Sequence, residues 1–120
     1  MTSPFSISDT AGTRLVEGPP DQPLMGKVED ARLIAEACFS SGARAALLYA
    51  PNMTANFFDL SSGEAGEILQ KLRNYRLRIA VVCPPGAVQF SSRFREVEGE
   101  LSDFFRIFET PEGAREWLRG

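Results

Sequence analysis

The chain is expected to fold as an α/β domain with a mixed, mostly parallel sheet, an N-terminal hairpin and flanking helices, in the order β-β-α-β-α-β-α-β-α. Three observations lead there. Two short strand-like runs open the chain around a turn-forming Ala11-Gly12 pair. Short, apolar runs such as Ala45 to Ala50 have the pattern of strands covered on both faces. Between these runs lie segments whose apolar residues recur at helical spacing, and repeated strand-helix units call for right-handed crossovers and parallel pairing.

The elements follow in order. Phe5 to Ser8 and Arg14 to Glu17 make the hairpin, and Gly18-Pro19-Pro20-Asp21-Gln22-Pro23 is a connector that cannot join a helix or a central strand. Val28, Ala31, Ile34, Ala35, Cys38 and Phe39 form the inward stripe of a first helix, with Gly42 placed to cap its end. Ala45 to Ala50 is the central strand. A second helix runs from about Ser62 to Tyr75 with Ala65, Ile68, Leu69 and Leu72 inward. Leu77, Ile79 and Val81 belong to the next strand, which Pro84-Pro85-Gly86 ends. A third helix around 92–101 is interrupted by Gly99, Phe104 to Phe108 is the last strand, and Thr110-Pro111 opens a final helix burying Ala114, Trp117 and Leu118.

One domain accounts for all 120 residues, since a chain of this length buries one core. Its 43% hydrophobic and 24% charged residues are those of an ordinary globular protein. A net charge of -3 disfavours a domain built to neutralise phosphates, so nucleic acid is not an expected partner. Met1 to Ser8 carry no basic leader and no apolar run is long enough to span a membrane, which places the chain in the cytoplasm without a membrane partner. Cys38 and Cys83, both within apolar stretches, are expected as reduced, buried thiols.

With no histidine, the Ser-His and Cys-His nucleophile pairs and every imidazole metal ligand are absent. Cys83 lacks a histidine to activate it, and Glu96, Glu98 and Glu100 spread around a helix instead of converging on a metal. No catalytic residue, metal or cofactor is therefore expected. Eleven of the thirteen cationic residues are arginine, and Lys71, Arg73, Arg76 and Arg78 form a basic run that suits a solvated helix end.

Chemistry is best concentrated at Asp59-Leu60-Ser61-Ser62-Gly63-Glu64-Ala65-Gly66, which leads from the central strand into a helix. Ser61 with Glu64 matches a capping box, and Gly63 and Gly66 allow close approach by the sheet or by a partner. Phe57-Phe58-Asp59-Leu60, Ala65 to Lys71, Asn74-Tyr75 and Ala80-Val81-Val82 resemble the bacterial family called domain of unknown function 4180, most densely from Phe57 to Val82. The element order is also similar to the STAS domain, the sulfate-transporter and anti-sigma-factor-antagonist module, whose second main helix follows an Asp-Ser-Ser-Gly or Asp-Ser-Thr-Gly loop. That resemblance implies a STAS-like fold and a loop serine phosphorylated to switch a protein partner, a role that falls to Ser61.

The expected function is thus a small non-catalytic regulatory or protein-binding module acting through Asp59, Ser61, Ser62, Gly63 and Gly66. The alternative is a small-ligand-binding domain or minor enzyme using the same strand-helix junction. Nine phenylalanines also leave apolar surface for a homodimer.

Overall fold

Five strands stand side by side in the order in which the chain makes them, β1-β2-β3-β4-β5. A computed structural model describes residues 5–10, 12–53, 57, 63–84, 96, 99 and 103–119. The strands are β1 (Ser6–Thr10), β2 (Thr13–Glu17), β3 (Ala45–Tyr49), β4 (Arg78–Val82) and β5 (Phe105–Phe108). The helices are α1 (Ala31–Ser41), α2 (Glu64–Asn74) and α3 (Pro111–Arg119), and short 3-10 turns occupy Val28–Asp30 and Ala50–Asn52. Only β1 runs against its neighbour, with Ser6 opposite Glu17 and Thr10 opposite Thr13, and every other pairing is parallel. The mixed, mostly parallel sheet led by a hairpin is therefore what the sequence predicts. Of the helix expected at 92–101, only Glu96 and Gly99 are described, both in helical backbone, and the rest lies outside the described residues.

Sequential strand order has a physical consequence. Successive right-handed crossovers put their helices on one face of the sheet, and α1 and α2 share a single core there. Ile34, Ala35 and Cys38 from α1 and Ile68, Leu69 and Leu72 from α2 pack with Val16, Ala46, Leu48, Ile79, Val81 and Phe105 from the strands. The opposite face, carrying Leu15, Leu47, Ala80 and Val82, is covered by Ala114, Leu118 and half-buried Trp117 of α3. Each fully buried leucine or isoleucine contributes roughly 1.5–3 kcal/mol through the surface it withdraws from water. β3 and β4 are thus buried on both faces, which is why their sequences read as continuous apolar runs rather than alternating ones.

The helix ends behave largely as their sequences require. Thr110 Oγ1 accepts a hydrogen bond from Gly113 N at 3.2 Å, and Pro111 takes the first helical position of α3. Gly42 ends α1 with a left-handed φ of 78°, its N–H bonding Phe39 O while Ala43 N–H bonds Cys38 O. Phe39 departs from expectation. The buried stripe of α1 is Ala31, Ile34, Ala35 and Cys38, so Phe39 falls at its margin and lies 57% exposed, its ring edge-on to Tyr75 at 5.4 Å.

Cys38 and Cys83 are both free and buried, as the sequence predicts. Burial pushes the Cys38 thiol from an ordinary 9.0 up to about 11. Because the folded state then holds a proton that the unfolded chain releases, stability is intact below pH 9.0 and declines as pH rises toward about 11. The expected loss across that window is roughly 2–3 kcal/mol. Urea unfolding of wild type and Cys38→Ala at intervals from neutral to alkaline pH checks it. The difference between the two curves should change over that window, and parallel curves would mean the thiol ionises equally in both states.

Candidate functional site

The carboxyl ends of the parallel strands form one edge of the sheet, the edge at which open α/β sheets bind ligands and partners. The segments leaving β2 and β3 are joined there by a buried amide. Asn52, at the end of the 3-10 turn after β3, is the one buried polar residue among those described. Its Oδ1 accepts from Tyr49 N at 2.7 Å, and its Nδ2 donates to Pro19 O and Gln22 O, each at 2.7 Å. The Asn52 carbonyl in turn accepts from Met25 N at 3.0 Å. The proline-rich connector, which has few N–H groups of its own to offer, is thereby held to β3 by a side chain that supplies both donors and an acceptor. Gly18 completes the joint, because a Cβ there would stand 2.5 Å from Asn52 Oδ1.

A second polar group holds α3 to β2. Arg115 donates through Nε and Nη2 to Glu17 Oε2 and Oε1 at 3.0 and 2.9 Å, and Ser8 Oγ donates to the same carboxylate at 2.9 Å. The Arg115 hydrogen bond holds the Glu17 carboxyl below its usual range against the opposing cost of partial burial. Its stabilising effect is complete above the ordinary carboxylate pKa and is lost as pH falls through the lowered one. Burial raises the nearby Tyr49 phenol, with smaller opposing and reinforcing contributions from Arg115 and Glu17.

Phe57 is fully buried and sits edge-to-face with Phe105 at 6.1 Å, anchoring the chain just before the predicted site loop. Asp59, Ser61 and Ser62 lie outside the described residues. Gly63 is described: it occupies the N-cap position of α2 in a left-handed conformation, φ 76°, without a side-chain cap. α2 begins at Glu64, so the helix starts two residues later than the sequence predicts. The capping box expected for Ser61 and Glu64 involves Ser61 and so falls outside the described residues. Gly63 and Gly66 are both exposed, and a Cβ on either would meet nothing within 4 Å among the described residues. The sheet does not approach them. The inward positions are instead Ala65, Ile68, Leu69 and Leu72, as expected.

The other sequence candidates are dispersed. Cys83 is buried at the end of β4, where its N–H continues the ladder to Phe108 O at 2.7 Å. Lys71 and Arg73 are exposed in the last turn of α2, and Arg78 lies over the Trp117 ring at 4.3 Å. Glu98 and Glu100 lie outside the described residues. Among the described residues no group of three or more His, Cys, Asp or Glu could hold a metal, and no helix is long and apolar enough to cross a membrane.

Sequence reasoning passed over Asn52, Glu17 and Arg115. The partners of Asn52 stand 33 and 30 positions before it, and Arg115 lies 98 positions from Glu17, so no local pattern signals either group. The one available clue for Asn52 is a polar residue directly after Pro51 at the end of a buried strand.

No curated protein and no solved structure matches the chain. A family model does match, and its span from residue 10 to residue 118 takes in β2 to β5, α1, α2, all of α3 but Arg119, and both polar joints apart from Ser8. The chain therefore belongs to the family described as Domain of unknown function (DUF4180).

Proposed function

We propose that this chain is a non-catalytic regulatory module of the cytoplasm that binds a protein partner through the loop from Asp59 to Gly66 and the outer face of the first turn of α2. A change of charge at Ser61, in the manner of STAS-like partner switching, sets the affinity. The supporting observation is the exposed, side-chain-poor start of α2, where Gly63 and Gly66 both leave open space. A partner can reach the backbone closely there, and a charge added beside a helix start whose first turn already carries Glu64 and Glu67 changes the electrostatics that the partner meets. Glycine at position 66 costs stability that a packing role would have to offset, and no packing role is seen among the described residues.

Two expected results follow. Gly66→Ala should stabilise the fold by roughly 0.5 kcal/mol, because an exposed helical glycine gains from a methyl group that meets nothing. Equilibrium denaturation reads this, and a destabilisation would mean that Gly66 is packed. For function, the partner captured by wild type is titrated against variants. Ser61→Asp should change the affinity at least tenfold, about 1.4 kcal/mol, while Ser61→Ala stays close to wild type. Gly66→Arg should block capture while the fold remains intact. Equal affinity for wild type, Ser61→Asp and Gly66→Arg would sink the proposal.

A further inference from the structure

At the opposite edge of the sheet, where the parallel strands begin, four arginines come together: Arg14 in β2, Arg44 just before β3, and Arg76 and Arg78 around the start of β4. Arg14, Arg44 and Arg78 line a recess of about 260 Å3 together with Gly12, Thr13 and Gly42. It shares Gly42 and Arg44 with a neighbouring recess of about 490 Å3, which carries Phe39, Tyr75 and Arg76. Among the described residues no carboxylate lines either one.

Arginines at this edge have a plain structural use, since α1 and α2 both end here and each helix end carries about half a negative charge. Arg14 serves that use: its Nη1 donates to Ser41 O at 2.6 Å and its Nε to Asp9 at 3.1 Å. The other three are not consumed in this way. Arg78 lies over Trp117, which leaves its charge in place. The side chains of Arg44 and Arg76 have no hydrogen-bond or ion-pair partner among the described residues. The ends of α1, α2 and α3, whose Leu118 also lines the smaller recess, offset about one and a half of these charges, Asp9 pairs with Arg14, and the edge keeps a positive surplus on a chain of net charge -3.

Arg76 supplies an independent reason. α1 and α2 finish in the same hydrogen-bonded motif, Gly42 N to Phe39 O and Ala43 N to Cys38 O in one, Arg76 N to Arg73 O and Leu77 N to Leu72 O in the other. The left-handed residue is glycine in α1 but arginine in α2, with φ 60°, the one non-glycine residue of positive φ among those described. Glycine would serve the helix better, because any β-carbon is strained there. Backbone strain kept for one guanidinium points to something outside the helix that uses it. Beside it, Phe39 and Tyr75 are 57% and 46% exposed, two large rings held in contact at the surface.

We propose that this edge binds a nucleoside monophosphate. The phosphate enters the recess formed by Arg14, Arg44 and Arg78, with Arg76 at its lip, and the base lies against Phe39 and Tyr75. Guanidinium groups pair with phosphate oxygens in bidentate fashion, and aromatic side chains stack with nucleobases. The volumes suit a small ligand. The site is at the other end of the sheet from the loop proposed to bind a protein, so Ser61→Asp should leave it unaffected.

Calorimetric titration of the full chain with AMP, adenosine and inorganic phosphate tests the proposal. AMP should bind saturably, with adenosine and phosphate each weaker by at least about tenfold. Arg44→Gln and Arg76→Gly should each weaken AMP about tenfold or more. Arg76→Gly should at the same time keep the melting temperature unchanged or raise it by up to about 4 °C, which separates lost binding from lost folding. Tyr75→Ala should weaken AMP while leaving phosphate binding as it was. The proposal is overturned if AMP does not saturate at ~5 mM, if Arg76→Gly binds AMP as wild type does, or if phosphate alone binds as tightly as AMP.

Discussion

Asn52→Ala is expected to lower the stability of the fold by about 3–5 kcal/mol, a large share of the ~5–15 kcal/mol that typically separates folded from unfolded chains. The side chain is fully buried and its three hydrogen bonds, each 2.7 Å, satisfy Tyr49 N, Pro19 O and Gln22 O. Truncation removes all three partners at once. A buried group left unpaired costs about 1–3 kcal/mol, and water reaching the exposed side of the connector near Gln22 recovers part of the sum. Asn52→Asp should also destabilise, because the second carboxylate oxygen accepts where two backbone carbonyls need a donor.

A double-mutant cycle makes the argument sharper. Gly18→Ala alone should cost about 2 kcal/mol or more, since the new Cβ would lie 2.5 Å from an Oδ1 that three hydrogen bonds prevent from moving. In the Asn52→Ala background that clash is gone, and Gly18→Ala should cost at least ~1 kcal/mol less than in wild type. Denaturant unfolding of the four proteins measures the coupling. Additive losses, or a loss below ~1 kcal/mol for Asn52→Ala, would mean that the joint between β2 and β3 does not depend on this amide.

Phe105→Ala is the second large effect, with an expected loss of about 3–5 kcal/mol. Phe105 is fully buried on β5, paired in register with Ile79 of β4, and its ring meets Phe57 edge-to-face at 6.1 Å. Removing it leaves a cavity in the core between the sheet and α2 and takes away the ring that holds the residue before the site loop. Phe105→Leu should recover more than half of the loss, because it refills most of the volume but not the ring contact. A loss for Phe105→Ala below ~1.5 kcal/mol would place the ring outside the core.

The elements were legible because the patterns that encode them are local. Ile34, Ala35 and Cys38, or Ile68, Leu69 and Leu72, repeat within two turns, and a helix must bury such a stripe wherever it packs. Thr110-Pro111 and Gly42 mark their helix ends through contacts within a few residues. The site was less legible. Ser61 and Ser62 lie outside the described residues, and what the structure adds there is Gly63, left-handed just before α2, which no local pattern announces. Gly66 could have been packed or open from its sequence position alone, and only the placement of α2 on the sheet decided that it is open.

By itself, then, the sequence determined the α/β class, the hairpin, the parallel pairing of the later strands and the burial of both cysteines, all consequences of periodicity and of the right-handedness of crossovers. Tertiary structure alone decided which residues meet across long stretches of chain: Asn52 with Pro19 and Gln22, Glu17 with Arg115, and the four arginines where the strands begin. It also put α3 on the face that α1 and α2 leave bare, and it exposed Phe39 at the margin of its stripe. The physical reason is one of range. Side-chain periodicity constrains neighbours within a turn or a strand, whereas strand register and the stacking of helices on the sheet bring together residues whose separation along the chain carries no signal of their contact.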